Sequence, residues 1–241
     1  MQNSLPLSFE LLENEIGYSF KNPEIIERAL THSSYSNEMG VKNHHLLCNE
    51  RLEFLGDSVL SLITSEYIFS KFENSPEGDL TRLRADLVCE KALAKYADKI
   101  ALGDYLKLGH GEEKNNGRRR PSILADAFEA LLAAIYLDSQ DKEQVKKFLL
   151  PFIVNQVSDM ENAGFNLDFK TMLQQFVQQS EGDLLEYITV AEKGPDHMKI
   201  FEVEARLNSN VVGRGSGRTK REAEQKAARA TLELFGVIAE K

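Results

Sequence analysis

Cysteine is scarce in this 241-residue chain: there are two, Cys48 and Cys89. That is too few for a disulfide framework or a cysteine-rich metal site. Both fall in helix-like apolar patterns, which predicts reduced core thiols. Long hydrophobic runs are absent too, and none approaches the ~20 residues of a membrane span. No membrane partner is expected. The opening MQNSLPLSFELLENE has neither the basic start nor the apolar core of a secretory signal, so a cytoplasmic location is expected. Positive net charge is also missing. The chain carries −9, which by itself argues against a nucleic-acid partner.

With 42% hydrophobic residues the chain is globular, long enough for one or two domains. Its charge is unevenly spread. Residues 1–165 hold 18 basic and 26 acidic side chains, or −8, whereas 166–241 hold 11 and 12, or −1. Within 214–229, Arg214, Arg218, Lys220, Arg221, Lys226 and Arg229 meet only Glu222 and Glu224 in the local sequence. A local basic patch of this kind is what a footprint on phosphates requires.

From residue 8 to about 156 the 3.6-residue period recurs in segment after segment, with Pro23 and Pro121 placed where a first helical turn tolerates proline. This predicts an all-α domain. MENAGFN (160–166) is polar and contains glycine, as a linker does. Beyond it come one helix (DFKTMLQQFVQQ), two alternating runs (LLEYITVAE and MKIFEVEARLN) separated by the hairpin-like turn KGPDH, a short NVVGRG strand and a last helix, TKREAEQKAARATLELF. The order is α-β-β-β-α, a small α+β domain.

NERLEFLGDSVL (49–60) puts Glu50, Glu53 and Asp57 on one narrow stripe at ~100° per residue, with Leu52, Leu55, Val59 and Leu62 toward the other side. Like charges at i,i+3 and i,i+4 destabilise a helix by a few tenths of a kcal/mol per pair. A second helix, ILADAFEALLAAIYLD, repeats the anomaly with Asp126 and Glu129, beside Ala130 and Ala133, which would admit another helix closely. If the stripes meet, each pair of carboxylates at ~5 Å repels by roughly 3 kcal/mol at an effective dielectric near 20. Protonation, exposure to water or a divalent cation would each relieve this. An all-oxygen site suits Mg²⁺ or Mn²⁺ and does not suit zinc. Phe54 shares the acidic side, where a solvated face has no use for a phenyl ring. It suggests burial against a partner surface, such as a second copy of the chain.

In the C-terminal part, Thr219 and Glu222 form a capping-box pattern, which places Lys220 and Arg221 in the first helical turn. Cations there disfavour the helix itself and so point to an anionic partner. Gln174 and Gln178 lie one turn apart, within reach of the 2′-hydroxyls of a minor groove, and His197 sits in a turn that could enter a second one. Glycines 213, 215 and 217 form no nucleotide fingerprint, since no βαβ unit follows, and no nucleotide cofactor is expected. His32, in THSSYS, suits a structural hydrogen-bonding role. His44 and His45 adjoin and cannot share one metal at helical spacing. No Ser/His/Asp motif is present.

NERLEFLGDSVL strongly resembles the signature of the ribonuclease III family, and ADAFEALLAAIYLD resembles its second acidic motif. ALTHSSYS (29–36) and EGDLTRLRADLV (77–88) resemble further family segments in the expected order, and residues 167–236 resemble a double-stranded-RNA-binding domain. The resemblance implies an all-α endonuclease domain over 5–158, a linker over 159–166 and the RNA-binding domain over 167–237. It implies a homodimer whose two acidic sites face one valley holding duplex RNA. Each site would cut one strand and leave 5′-phosphates, 3′-hydroxyls and short 3′ overhangs. Glu53, Asp57, Asp126 and Glu129 match the catalytic acids. Glu53, Asp126 and Glu129 would bind Mg²⁺ directly, with Mn²⁺ able to substitute, and Asp57 would act through water or as partner to Glu129. Glu50 and Glu77 match acids lining the valley, and Phe54 matches the interface ring that enters the other subunit. Gln174, Gln178, His197, Thr219, Lys220 and Arg221 match RNA-contacting positions, whereas Glu224 stands where many such domains carry a third basic residue. The expected substrates are ribosomal RNA precursors and other structured transcripts, messenger and transfer RNA precursors among them. Two other readings stay open on the residues alone: a duplex-binding protein with vestigial acids, and a metal-dependent phosphohydrolase of small molecules.

Overall fold

The computed structural model describes residues 5–238 except 41, 74, 163–168, 179–181 and 196–198. The chain forms two compact units, 1–71 with 81–157 and 72–80 with 158–241.

The first unit is helical throughout, as the 3.6-residue period predicts. Helices α1 (Phe9–Ile16), α2 (Pro23–Ala29) and α3 (Ser33–Glu38) lead into the 22-residue α4 (Glu50–Lys71). Then come α5 (Glu77–Val88, begun in segment 72–80), α6 (Glu90–Lys99), α7 (His110–Lys114), α8 (Pro121–Ser139) and α9 (Lys142–Asn162). Helix α9 continues to Asn162, past the start of the polar stretch read as a linker.

Helix α8 is the centre of this unit. Ile123, Leu124, Ala127, Phe128 and every residue from Ala130 to Ile135 are buried, and α4, α6 and α2 pack against it. Each large apolar side chain so buried contributes roughly 1.5–3 kcal/mol. Phe128 anchors one side of α8 in a group of rings with Tyr96, Phe148 and Phe152, centroids 5.4–5.8 Å apart. With Phe128 committed to that core, Asp126 and Glu129 emerge on another face. Ahead of α8, the buried Arg118 donates to the carbonyls of Gly103 (2.9 Å) and Leu106 (2.6 Å) and pairs with Glu113, which pins the approach to the helix.

Two sequence expectations fail here. Cys48 is buried, but Cys89 is exposed at the N-cap of α6, so it is not a core thiol. Leu62, expected on the buried side of α4, is 55% exposed, because α8 packs on the side of α4 that carries Gly56 and the buried Leu52, Val59 and Ile63.

The second unit has the expected α-β-β-β-α order: α10 (Phe169–Val177), β1 (Leu185–Lys193), β2 (Ile200–Leu207), β3 (Asn210–Gly217) and α11 (Lys220–Leu234). The sheet is antiparallel in the order β1-β2-β3. Asn208 and Ser209, both at positive φ, form the two-residue turn between β2 and β3, a conformation whose twist matches the flanking strands. One sheet face packs Val203 and Ala205 on Ala223 and Ala227, and α10 closes the core with Phe169, Met172 and Leu173 against Ala228 and Leu232.

The spaced glycines explain how α11 sits so close. A Cβ on Gly213 would lie 2.2 Å from the Thr231 hydroxyl, and one on Gly215 2.2 Å from the Ala223 carbonyl. Two strand residues rise ~6.6 Å and one helical turn ~5.4 Å. Glycines at every second strand position therefore keep step with Ala223, Ala227 and Thr231, one turn apart on α11.

Candidate active site

Glu53 on α4 and Asp126 and Glu129 on α8 converge. One carboxylate oxygen from each lies within 4.8 Å of the others, and all three side chains are half-buried. Gly56 makes this possible. A Cβ there would stand 1.9 Å from the Glu129 carbonyl oxygen, so α4 and α8 cross backbone to backbone beside the acids. Ala130 and Ala133, which share the helical face of Asp126 and Glu129, are fully buried. A glycine inside an otherwise strong helix costs ~1 kcal/mol against alanine. That cost is the sequence signal for a close crossing, and the spacing of the acids does not carry it.

Among the described residues, none of Glu53, Asp57, Asp126 and Glu129 forms a salt bridge. The crowding appears instead in their proton affinities. Burial, then the charges of Asp57, Glu53 and Asp126, push the Glu129 carboxyl up to about 8. Burial also raises Glu53, with Asp126 and Glu50 adding to it. Asp126 is raised by burial, His32 opposing and Glu90 adding. Such a cluster binds protons or a cation, and its all-oxygen donors are those of a hard divalent ion. The residues fit Mg²⁺ or Mn²⁺.

The other expected residues are placed as follows. Asp57, one turn beyond Glu53, is exposed and outside the three-oxygen group, but near enough to act on Glu129. Glu50 is exposed at the start of α4. Glu77 opens α5 in the segment that groups with the second unit. Phe54 is 80% exposed, and Leu62 and Phe69 (72%) extend an apolar strip along α4. His32 caps α3, its Nδ1 accepting the Ser34 N–H. Burial lowers its proton affinity, while Glu112, Asp126 and Glu50 oppose the shift.

In the second unit, Gln174 and Gln178 are exposed and joined through one turn, the Gln178 N–H donating to the Gln174 carbonyl. His197 lies outside the described residues. Thr219 caps α11 by accepting the Glu222 N–H at 3.1 Å. The return bond from Glu222 reaches the N–H of Arg218 at 2.8 Å, one residue earlier than a capping box has it. Glu224 pairs with Lys170 at 2.7 Å, a staple between α11 and α10 that accounts for an acid in the basic run.

Much of that run is neutralised by ion pairs. Arg214 pairs with Glu204, Lys220 with Glu192, Lys226 with Glu222 and Arg229 with Glu233. Arg221 is exposed and has no ion-pair partner among the described residues. The available positive charge is therefore concentrated at the start of α11.

Comparisons with known proteins match both units. A family profile described as Ribonuclease-III-like matches residues 22–157, and the double-stranded RNA binding motif profile matches 169–234. Ribonuclease 3 of Desulforamulus reducens is 47% identical over 218 residues, 90% of this chain and 87% of that protein. Ribonuclease 3 of Listeria innocua is 44% identical over 227 residues, 93% of this chain and 96% of that protein. Among solved structures, the nuclease domain of ribonuclease III from Campylobacter jejuni, which has a flexible region involved in dimer formation, aligns with a TM-score of 0.55. It is 44% identical and covers 61% of this chain and 96% of its own. With one profile spanning more than half of the sequence and relatives of this identity spanning most of it, the chain belongs to the ribonuclease III family.

Proposed function

We propose that this chain, a double-strand-specific endoribonuclease, hydrolyses phosphodiesters of duplex RNA with Mg²⁺, leaving 5′-phosphates, 3′-hydroxyls and short 3′ overhangs. The observation that carries this reading is the convergence of Glu53, Asp126 and Glu129 without a basic partner among the described residues. These three would hold the cation, with Mn²⁺ able to replace Mg²⁺. A bound divalent cation supplies a nucleophilic water near neutral pH and offsets the charge that develops on the phosphate. Asp57, acting through water or as partner to Glu129, would help orient the attacking water. Glu50 would extend the acidic lining, and Glu77 would be a further acid facing RNA, as its family position implies.

Residues 5–158 would be the nuclease domain, 159–166 the linker and 167–237 the RNA-binding domain. The latter grips shape: the RNA major groove is too narrow for side chains to read, so Gln174, Gln178 and His197 would reach minor grooves. Thr219, Lys220 and Arg221 would meet phosphate. The exposed strip of Phe54, Leu62 and Phe69 supports a homodimer, since a lone soluble chain has no use for such a surface. Ribosomal RNA precursors and other structured transcripts in the cytoplasm are the proposed substrates.

The test is cleavage of a long RNA duplex with Mg²⁺, with Ca²⁺ and without metal, for the unaltered chain and Glu129→Gln. Cutting with Mg²⁺ by the unaltered chain alone, with both proteins binding the duplex, is expected. Equal cutting by Glu129→Gln would refute the assignment, and binding without cutting under every metal would leave a duplex-binding protein.

A further inference from the structure

One corner of the second unit joins β1, β2 and the start of α11. The strand register pairs Glu192 of β1 with Phe201 of β2, and Phe201 with Gly217 of β3. Cross-strand partners share a sheet face, and Phe201 packs with Val203 and Ala205 on the face that α11 covers. Gly217 shows how near the helix comes there. A Cβ on it would lie 2.7 Å from the Glu222 Cβ and 2.8 Å from the Ala223 nitrogen. The first turn of α11 therefore rests on the row Glu192–Phe201–Gly217. Lys193, the next residue along β1, points to the other face and pairs with Glu202 at 2.6 Å.

Lys220, the first residue of α11, folds back over that row. Its Nζ stands 5.5 Å from the centre of the Phe201 ring and 3.1 Å from Glu192 Oε1. The other oxygen of Glu192, Oε2, lies 3.6 Å from Lys199 Nζ. One carboxylate is thus held between two ammonium groups, one from α11 and one from the residue that precedes β2. The hydrogen bond from Lys220, with Lys199 adding to it, holds the Glu192 carboxyl below its ordinary range, so it is ionised at neutral pH.

Such a bridge is a weak device for stability. The Lys220 side chain is 58% exposed and that of Glu192 41%, and exposed ion pairs contribute little to folding. Its consequence for an anionic ligand is larger. A phosphate that approaches Lys220 meets an ammonium already engaged, with a negative charge beside it. We propose that Glu192 is a positioning residue that acts through Lys220: as an internal counter-ion it holds the ammonium back from the RNA, and so sets duplex binding below what the basic run could give. This rests on the reading of the α11 start as a phosphate contact. Like charge placed beside a ligand's own charge is a common way to limit binding.

The sign of the effect separates this role from a structural one. Glutamine keeps the shape of Glu192 and an acceptor oxygen for Lys220 but lacks the charge. The experiment measures binding of an RNA duplex by the full chain in Ca²⁺ at several salt concentrations, for the unaltered protein, Glu192→Gln, Lys220→Ala and the two changes together. One cation released to one phosphate is worth roughly five- to eightfold at ~0.1 M salt. Glu192→Gln is therefore expected to bind roughly three- to eightfold tighter, with a dependence of log affinity on log salt steeper by up to about 0.9 and an unchanged unfolding midpoint. With Lys220→Ala present, the same change should bring no gain. Unchanged or weaker binding by Glu192→Gln would overturn the proposal, since a residue that merely supports the fold can only lose affinity when altered. A gain of equal size with and without Lys220 would also overturn it, because the charge would then act without that ammonium. Absence of any duplex binding by the unaltered chain would overturn the RNA-binding reading itself, and the role of Glu192 with it.

Discussion

Gly56→Ala sets two effects of opposite sign against each other. Replacing glycine by alanine inside a helix favours folding by ~1 kcal/mol, so α4 considered alone gains stability. The added Cβ, however, would stand 1.9 Å from the Glu129 carbonyl oxygen and 2.4 Å from its carbon. Non-bonded heavy atoms settle at ~3.5 Å, so the helices must part by roughly 1.5 Å. Overpacking of this kind costs about 1–3 kcal/mol, and the separation also loosens Leu52 and Val59. The net expectation is a loss of about 1–2 kcal/mol, read as a lower urea midpoint at unchanged slope. The effect on chemistry should be larger, because the displaced atom belongs to Glu129 itself. A misplacement of ~1 Å costs on the order of 100-fold, so duplex cleavage at saturating Mg²⁺ should fall by about that factor while RNA binding persists. Gly78→Ala is the control: nothing lies within 4 Å of its Cβ, and neither stability nor cleavage should suffer. A Gly56→Ala protein as stable and as active as the unaltered chain would refute the close crossing as the device that assembles the site.

Three further outcomes are expected. The Glu129 carboxyl is raised from an ordinary 4.5 to about 8, so the folded state holds a proton the unfolded chain has released; its contribution to metal-free stability is present below about 4.5 and lost as pH rises through 8. Glu129→Gln should flatten that decline in a thermal-unfolding series, and parallel profiles for the two proteins would contradict it. Changing Lys220 and Arg221 together to alanine should weaken duplex binding and lower the dependence of log affinity on log salt by roughly 0.7–0.9 for each phosphate no longer neutralised. Because Glu192 already engages Lys220, Arg221→Ala alone should give most of the change, and an unchanged salt slope would remove both from the RNA surface. Phe54→Asp should shift sedimentation from dimer to monomer without unfolding the chain, since the ring is 80% exposed in one copy; a dimer that survives would place the interface elsewhere.

The fold was legible from local spacing because helices and hairpins are local. The 3.6-residue period, Pro121 at a helix start and the period-two alternation of the strand runs each act within a few residues, and the α-β-β-β-α order follows from them. The acids were legible for the same reason: residues three or four apart share a helical face whatever the rest of the chain does. The sequence by itself therefore determined two acidic helix faces, a helical unit and a small α+β unit with positive charge at one helix start.

Only the tertiary structure decided which faces meet. Glu53 reaches Asp126 and Glu129 because Gly56 lets α4 settle on α8, and burial at that crossing raises Glu129. Burial belongs to the assembled pair of helices, so neither helix shows it alone. The same reason exposes Leu62 and Cys89 against expectation and ties Arg214 and Lys220 to Glu204 and Glu192 on the sheet. Each depends on how residues distant in sequence are brought together, and side-chain spacing along one element carries no information about the element that will cover it.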